Sequence, residues 1–486
     1  MEREVNQFEV STGSDRLRSP KYLLFLLLVT AVSVWVISHL GFTGAISLIL
    51  LPFVFLYLFL LFRWPISGLW TSLILGFVLL GVARYVSADI QIGLFMDLSL
   101  VLTYIALIFK NFYGKTDWSP AKKDVTLLAA IWFGYSLLQF FNPEVKSYAA
   151  WFSGVRGISL YMMMIIPLVL LFIDSKRKLR IFFFIWGAFS ILASLKGILQ
   201  MTLGTDPWEQ LWLATPAGQT HIIFGNLRAF SFMSDAGQFG ANQAYSAVMG
   251  IIVAFSEKKR KNQLFFILVA VLGIVGMFIS GTRGAISIPL GAAILFVIMR
   301  KSRGILIAGI VLLALTFFFF KFTYIGQDNQ FIRRMRTAFN PNDPSLQVRL
   351  ENQKKLSTYL SSRPFGGGIG HAGVKAKAFT PGSYLSTVAT DSWYVLIWAE
   401  QGIIGLILHL AILFYILIKG AYLIMYRIKD RELRLKMMAL ASGMFGVMVA
   451  SYGNAVLGTM PTSLLIYSSM ALMLSPEKLD RKEIKS

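Results

Sequence analysis

Apolar runs long enough to cross a lipid bilayer recur along almost the whole chain, separated by short polar segments. A transmembrane helix needs about 20 mainly apolar residues, and many of these runs reach about 17 or more. The first run, at 22–40, follows a polar stretch and is too long for the apolar part of a signal peptide. A mean hydropathy of +0.65 agrees with this pattern. The runs therefore predict an all-α polytopic membrane protein.

We predict about fourteen transmembrane helices from these runs. Their predicted ranges are 21–40, 43–62, 67–86, 92–109, 124–141, 158–173, 180–200, 239–255, 263–280, 284–299, 304–320, 391–418, 435–452 and 455–474. The resulting organisation is a tail at 1–20, eleven spans within 21–320 with an outward segment at 201–238, a large partly helical loop at 321–390, three spans within 391–474, and a tail at 475–486.

The Lys and Arg residues predict the orientation of the chain. With a cytoplasmic N-terminus, 30 of the 46 basic residues fall on the inward side and 16 on the outward side. Ten of those 16 lie in the loop at 321–390, which is too long to count toward orientation. The net charge of +22 is therefore mostly short-loop charge, and we predict no nucleic-acid partner. Both tails are predicted to be cytoplasmic, and the long loop extracytoplasmic.

The long loop is the main water-facing part of the chain and holds ten Lys and Arg residues against three Asp and Glu residues. After the helix-breaking segment at 340–344, Ser345 is predicted to cap a helix that runs to about Ser362. Arg349 falls on the leucine-bearing face of that helix, and Lys355 points the opposite way. An arginine in this position either contacts lipid headgroups or reaches a buried anionic site.

A glycine-rich segment follows at 365–373, with glycines at Gly366, Gly367, Gly368 and Gly370. Successive glycines allow backbone N–H groups to converge on a phosphate. A tight irregular turn with positive φ angles is the alternative interpretation. The segment lacks the Gly-Lys-Ser/Thr ending of a nucleotide-binding loop, which argues against ATP.

Three arginines are candidates for binding a substrate diphosphate. Arg228 ends the outward segment, Arg283 lies at a predicted outer helix junction, and Arg349 lies in the long loop. Any one of them alone is explained by an ion pair or a headgroup contact. Several guanidinium groups on one membrane face suit the oxygens of a diphosphate.

The candidate acid and base groups are Asp391, Glu400 and His371. Asp391 begins the span after the loop, and Glu400 lies nine residues further on. Carboxylates at membrane depth are costly and mark functional sites, although Glu400 could instead serve a helix contact. The histidines are scattered without metal-ligand spacing and the chain has no cysteine, so we predict no metal and no cofactor.

In these segments the chain resembles the bacterial O-antigen ligase/polymerase superfamily. The matching segments, in order, are 280–285 with Arg283, Arg349 itself, 362–370, 391–394 and 399–405. The resemblance covers about 280–410, and the segment around Arg228 looks like a further family element.

The resemblance implies a GT-C-like, metal-independent glycosyltransferase in the bacterial inner membrane, with its large loop periplasmic. The implied donor is a glycan on undecaprenyl diphosphate, and the implied acceptor is a lipid-linked repeat unit or lipid A core. Membrane lipids and a protein that regulates chain length are the other implied partners. Arginines would neutralise the leaving diphosphate, and a base would take the acceptor proton.

One departure from the family pattern bears on the type of transfer. Ligases of this family carry His and Asn where this chain has Asp391 and Ser392. Asp391 itself, or His371, would then act as the base. We therefore favour a polymerase of repeat units, with a ligase that transfers glycan to lipid A core or protein as the alternative. A lipid-linked oligosaccharide flippase is a rival from another class, although transporters usually have related halves and short loops, which this chain lacks.

Overall fold

The computed structural model describes residues 20–86, 92–114, 116–223, 225–328, 330–337, 340 and 342–480. Within these residues the chain is helical, apart from a two-stranded antiparallel ribbon, β1 (Ile222–Ile223) paired with β2 (Asn226–Leu227). The predicted tail at 1–20, except Pro20, and residues 481–486 of the other tail lie outside the described residues. The helical, polytopic fold predicted from the apolar runs is confirmed.

The bounds of the helices are as follows: α1 Pro20–Arg63, α2 Ile66–Val82, α3 Gly93–Tyr113, α4 Asp124–Leu138, α5 Tyr148–Val155, α6 Tyr161–Phe172, α7 Lys176–Thr202, α8 Pro207–Leu213, α9 Gly218–His221, α10 Ala236–Ala254, α11 Arg260–Ile279, α12 Ser287–Arg300, α13 Arg303–Phe322, α14 Gln330–Arg336, α15 Pro344–Leu360, α16 Gly373–Phe379, α17 Tyr384–Thr387, α18 Trp393–Tyr426, α19 Arg431–Ala450, α20 Thr462–Met473 and α21 Pro476–Asp480. Short 3₁₀ turns occupy Ser119–Ala121, Gln139–Phe141 and Arg283–Ile286, and one wide π-type turn, Arg156–Leu160, joins α5 to α6.

Nine helical segments of the described chain are long and apolar enough to cross a membrane. They are Pro20–Gly41, Gly93–Phe112, Asp124–Phe141, Tyr148–Phe172, Lys176–Thr202, Arg260–Ile279, Arg283–Arg300, Trp393–Tyr426 and Arg431–Ala450. The other predicted spans fall on the shorter apolar segments Ser47–Arg63, α2, Gly309–Phe322 and α20, or on α10, which is almost wholly buried in the bundle. The total of fourteen spans therefore stays a prediction.

Small residues allow the central helices to pack closely. A Cβ atom added to Gly446 on α19 would lie 2.2 Å from the carbonyl oxygen of Ile288 on α12. A Cβ at Gly443 would lie 2.0 Å from the ring of Tyr245 on α10. Apolar attraction between helices is weak in a lipid environment, so close backbone approach at glycines is a main source of packing energy. The most fully buried helices of the core are α10, α19 and α20.

The two ends of the bundle differ in their charged contacts. At one end, Lys436 of α19 forms ion pairs with Glu257 and Glu432 at 2.7 and 2.6 Å. At the other end α11 finishes, α12 and α18 begin, and α19 finishes, and the backbone N–H of Trp393 donates to Ser451 O at 2.9 Å. The candidate arginines all lie at this second end, beside the long loop.

The long loop is built from α14 to α17 and packs on the start of α18. Asp343, not the predicted Ser345, caps α15: its carboxylate accepts the backbone N–H of Leu346, and Pro344 occupies the first helical position. Asp and Ser cap about equally well, and the position of proline decides: Pro344 suits the first helical position, which places the cap at Asp343, two residues before Ser345. Farther along, α18 is broken at Gly402, where φ is +68°.

Candidate functional site

Gly281 lies beside a cluster of three arginines, Arg228, Arg283 and Arg334, which we call the arginine cluster. Its φ angle is +57°, and a Cβ placed there would lie 3.4 Å from both Arg228 Cγ and Arg334 Cδ. The guanidinium of Arg228 donates to Ser280 O at 3.0 Å, Thr220 O at 2.7 Å and Thr282 Oγ1 at 2.9 Å. Burial lowers the pKa of Arg228 to about 10, and the nearby charge of Arg334 acts in the same direction.

Arg334 is a residue that the sequence alone did not single out. It lies on α14, and its Nε donates to Gly281 O at 2.6 Å. Burial and the charge of Arg283 lower its pKa. Its two terminal nitrogens have no hydrogen-bond acceptor within the described residues. The signal in the sequence is the basic run at 333–336, directly before the helix-breaking segment, but nothing there separates Arg334 from its neighbours.

Arg283 begins the 3₁₀ turn between α11 and α12. Its Nη1 donates to Thr337 Oγ1 at 2.9 Å and to Asp343 Oδ2 at 2.7 Å. The Nε and Nη2 groups of Arg283 have no acceptor in the described part of the chain, so they stay available to a ligand. Because Asp343 caps α15, this ion pair fixes the start of α15 beside the arginine cluster.

Arg349 lies six residues after Asp343, about 9 Å further along the axis of α15. Its Nε is 3.3 Å from Asp391 Oδ2, and the two side chains are 32% and 48% exposed. Both line a cavity of about 140 Å³ whose wall also includes Tyr452 and Gly453. The structure thus places the predicted base Asp391 in contact with one predicted arginine, and α15 connects this pair to Arg283.

A comparison with known protein families finds a match for part of the chain. Residues 268–410 match the family model described as O-antigen ligase. This region is similar to the O-antigen ligase family. The predicted resemblance is therefore confirmed over this region, and the family implies membrane glycan transfer of the ligase or polymerase type. A search of curated proteins gives no match.

The O-antigen ligase region contains Arg283, Arg334, Arg349 and Asp391, whereas Arg228 precedes it. Arg228 nevertheless contacts the region directly through Ser280 and Thr282. The backbone N–H of Ala229 also donates to Ile279 O at the end of α11. The site is therefore assembled from the family region together with one arginine from outside it.

Three of the four glycines in the glycine-rich segment have engaged N–H groups, which argues against the phosphate-binding prediction for Gly366, Gly367, Gly368 and Gly370. The N–H groups of Gly366, Gly367 and Gly368 donate to the carbonyl oxygens of Arg363, Ala399 and Glu400 at 2.9 to 3.0 Å. Gly370, with φ +81°, lies so close to Ala150 that a Cβ would be 2.1 Å from its carbonyl oxygen. The tight-turn interpretation fits, because Gly366, Gly368 and Gly370 have positive φ angles of 76°, 90° and 81°.

The geometry of His371 also argues against its predicted role as a base. Its Nε2 accepts the backbone N–H groups of Lys146 and Ser147, each at 3.0 Å. Its Nδ1 lies 3.0 Å from Ile369 O and donates to it, because Nε2 serves as an acceptor. The side chain is buried, and burial lowers its pKa. Both ring nitrogens are engaged, which favours a role in holding the loop over the acceptance of a substrate proton.

Glu400 is enclosed under the glycine-rich segment. It is 2% exposed, and its Oε1 lies 3.4 Å from the backbone N–H of Ala372. It comes two residues before the break at Gly402, where a Cβ would lie 1.9 Å from Pro364 O. This environment favours the helix-contact interpretation of Glu400. In the described residues, no group of three or more His, Cys, Asp and Glu side chains is arranged to hold a metal ion.

Proposed function

We propose that this protein is a membrane glycosyltransferase that joins oligosaccharide repeat units carried on undecaprenyl diphosphate. The reaction would take place at the outer face of the bacterial inner membrane, with the long loop in the periplasm. The O-antigen ligase region and the polytopic helical fold support glycan transfer in a membrane. The excess of short-loop Lys and Arg residues on the opposite side supports this orientation.

The observation that carries the proposal is that α15 connects a cluster of arginines at its start to a cavity lined by Arg349 and Asp391. Arg283 contacts the cap of α15, and Arg349 contacts Asp391 less than two turns further on. Within the described residues, Arg334 and Arg228, beside Arg283, donate hydrogen bonds only to uncharged acceptors. This leaves positive charge and free N–H groups at the site, which is what two linked phosphates require.

The proposed chemistry needs no metal ion. The acceptor hydroxyl oxygen attacks the anomeric carbon of the donor sugar, and the bond from that carbon to the phosphate oxygen breaks. The electron pair leaves with undecaprenyl diphosphate, and Arg283, Arg334 and Arg349 stabilise its charge. Asp391 accepts the proton of the attacking hydroxyl.

Arg349 has two partners in this scheme. Without donor it pairs with Asp391 at 3.3 Å. A diphosphate is a stronger partner for a guanidinium group than a single half-exposed carboxylate, because it offers more charge and more acceptor oxygens. Donor binding would therefore draw Arg349 away and leave Asp391 free to accept a proton.

Polymerisation is favoured over ligation because Asp391 stands where ligases of the family carry His. Ligation to lipid A core or to protein is the alternative, and a flippase is the rival from outside the enzyme class. Membrane lipids and a protein that regulates chain length are the further partners that we propose.

The test uses purified protein in liposomes with a defined lipid-linked repeat unit, with and without lipid A core. Products of increasing length, formed equally in EDTA, are expected for the polymerase. A single transfer that requires lipid A core would replace polymerase by ligase. Unchanged substrate that crosses the bilayer, with no new glycosidic bond, would overturn the enzyme assignment.

A further inference from the structure

A second cavity, of about 500 Å³, lies away from the arginine cluster, between the start of α3, α5 and α16. Its walls are mainly apolar and include Leu94, Phe152, Leu160 and Phe379. Two charged side chains, Asp97 and Arg156, also line it. A mainly apolar cavity with a few fixed polar groups is the usual form of a small-ligand site.

The charged groups of this cavity neutralise each other. Arg156 Nη1 is 3.0 Å from Asp97 Oδ2, and Tyr161 donates its hydroxyl to Asp97 Oδ1 at 2.8 Å. The two charged side chains are 18% and 21% exposed, so they are partly accessible from the cavity. The arginine cluster differs, because the guanidinium groups of Arg228 and Arg334 donate only to uncharged acceptors among the residues that the structure describes. A diphosphate would therefore prefer the cluster, and the second cavity suits an uncharged polar ligand.

We propose that this second cavity binds a neutral sugar ring of the acceptor glycan. A carboxylate accepts hydrogen bonds from sugar hydroxyls, and a guanidinium donates to them. The rings of Phe152 and Phe379 offer flat apolar surface for the C–H face of a pyranose. This inference rests on the proposed glycosyltransferase function, since it assigns the place of the second substrate.

Helix α16 links this cavity to the vicinity of Asp391. At its first residue, Gly373, a Cβ would lie 2.7 Å from Thr390 Oγ1, next to Asp391 in the chain. At its last residue, Phe379 lines the cavity, about 9 Å along the helix axis. Lys375, between them, donates to Ser153 O at 2.8 Å and fixes α16 against α5. A glycan held in the cavity therefore lies about one short helix away from the proposed base.

The cavity opens toward the apolar flank of the protein. Leu94 and Phe152 line it and are 54% and 61% exposed, as expected for side chains that face lipid. Such an opening suits a glycan that is attached to a membrane lipid. The occupant that we propose is accordingly the sugar part of a lipid-linked acceptor.

The test measures binding of the lipid-free repeat-unit oligosaccharide, released from the surface polysaccharide of the source strain, to the full-length protein in nanodiscs by calorimetry. Ala149→Trp fills the cavity from an exposed position and removes no polar contact. Val374→Trp is the matched control, since Val374 is 85% exposed on α16 and does not line the cavity. We expect Ala149→Trp to weaken oligosaccharide binding at least tenfold, and Val374→Trp to change it less than twofold.

Arg156→Gln is the second variant, because it removes a sugar-binding donor and leaves Asp97 with its bond from Tyr161. It should also weaken oligosaccharide binding, with undecaprenyl diphosphate binding unchanged. The inference is overturned if the wild type does not bind the oligosaccharide, if Ala149→Trp binds it within twofold of wild type, or if undecaprenyl diphosphate binding is lost instead. Because this readout needs no turnover, a failure to form polymer would contradict the proposed function without deciding the cavity.

Discussion

Replacing Arg349 with alanine separates a catalytic role from a structural one. The partner of Arg349 is Asp391, and the side chains are 32% and 48% exposed. Ion pairs this accessible to solvent contribute about 0–1 kcal/mol to stability. Arg349→Ala should therefore lower the free energy of unfolding by at most ~1 kcal/mol.

The expected loss of activity is much larger. Removing one preorganised donor to a developing negative charge costs about 10²–10³ in kcat, equivalent to roughly 2.7–4 kcal/mol. If Arg349 stabilises the leaving diphosphate, the loss in transition-state stabilisation exceeds the loss in folding stability by about 2 kcal/mol or more. A purely structural arginine would show no such excess.

Lys355→Ala is the matched control on the same helix. Lys355 pairs with Glu351 at 2.8 Å, and both side chains are more than half exposed, at 52% and 64%. The substitution removes one positive charge and one ion pair from α15 without touching the cavity. Surface changes of this kind shift free energies by about 0.5 kcal/mol, so its activity should stay within about twofold of wild type.

The assay compares initial rates of polymer formation in liposomes at saturating lipid-linked repeat unit, with thermal unfolding of the same preparations. An Arg349→Ala rate within about threefold of wild type would refute the reasoning, since a lost donor should cost far more. Equal losses in Arg349→Ala and Lys355→Ala would also refute it, because net charge and not the position of Arg349 would then control the rate.

Three further results are expected. Asp391→Asn should lower kcat by about 10²–10⁴ while donor binding in calorimetry is retained, because the proposed base is lost and Arg349 is freed. Full turnover would exclude Asp391 as the base. Gly402→Ala should lower the melting temperature more than Gly382→Ala. Both glycines have positive φ, but a Cβ at Gly402 would clash with the backbone of Pro364, whereas a Cβ at Gly382 has no atom within 4 Å. Equal shifts in melting temperature would contradict the close contact. Burial lowers the pKa of His371, so the folded state disfavours its protonation and the stability of the protein should fall as pH drops below about 6.5. His371→Gln should flatten the dependence of melting temperature on pH, and an unchanged slope would contradict this.

Much of the fold follows from the sequence because helices in a bilayer must satisfy their own backbone hydrogen bonds. Apolar length alone therefore predicts where α3, α7, α11 and α19 lie. The cap of α15 was predicted wrongly at Ser345, since Asp343 and Ser345 are both residue types that cap, and proline at the first helical position decides for Asp343.

The site was less predictable because its decisive contacts join distant parts of the chain. Arg349 and Asp391 are 42 residues apart in sequence, and no local pattern predicts that they pair. The donors to His371 come from Lys146 and Ser147, more than 220 residues earlier, so its occupied nitrogens could not be foreseen. The sequence predicts which residue types could act, whereas tertiary contacts determine which of them are free.

The break in α18 at Gly402 affects how this loop can be exchanged between relatives. The N–H groups of Gly367 and Gly368 donate hydrogen bonds to the carbonyl oxygens of Ala399 and Glu400. A Cβ added to Gly402 would lie 1.9 Å from Pro364 O. The glycine-rich segment and the broken part of α18 therefore satisfy each other's backbone hydrogen bonds and pack in close contact. A chimaera that grafts only the long loop should misfold at this joint, whereas one that transfers residues 364–402 as a single cassette should keep it intact.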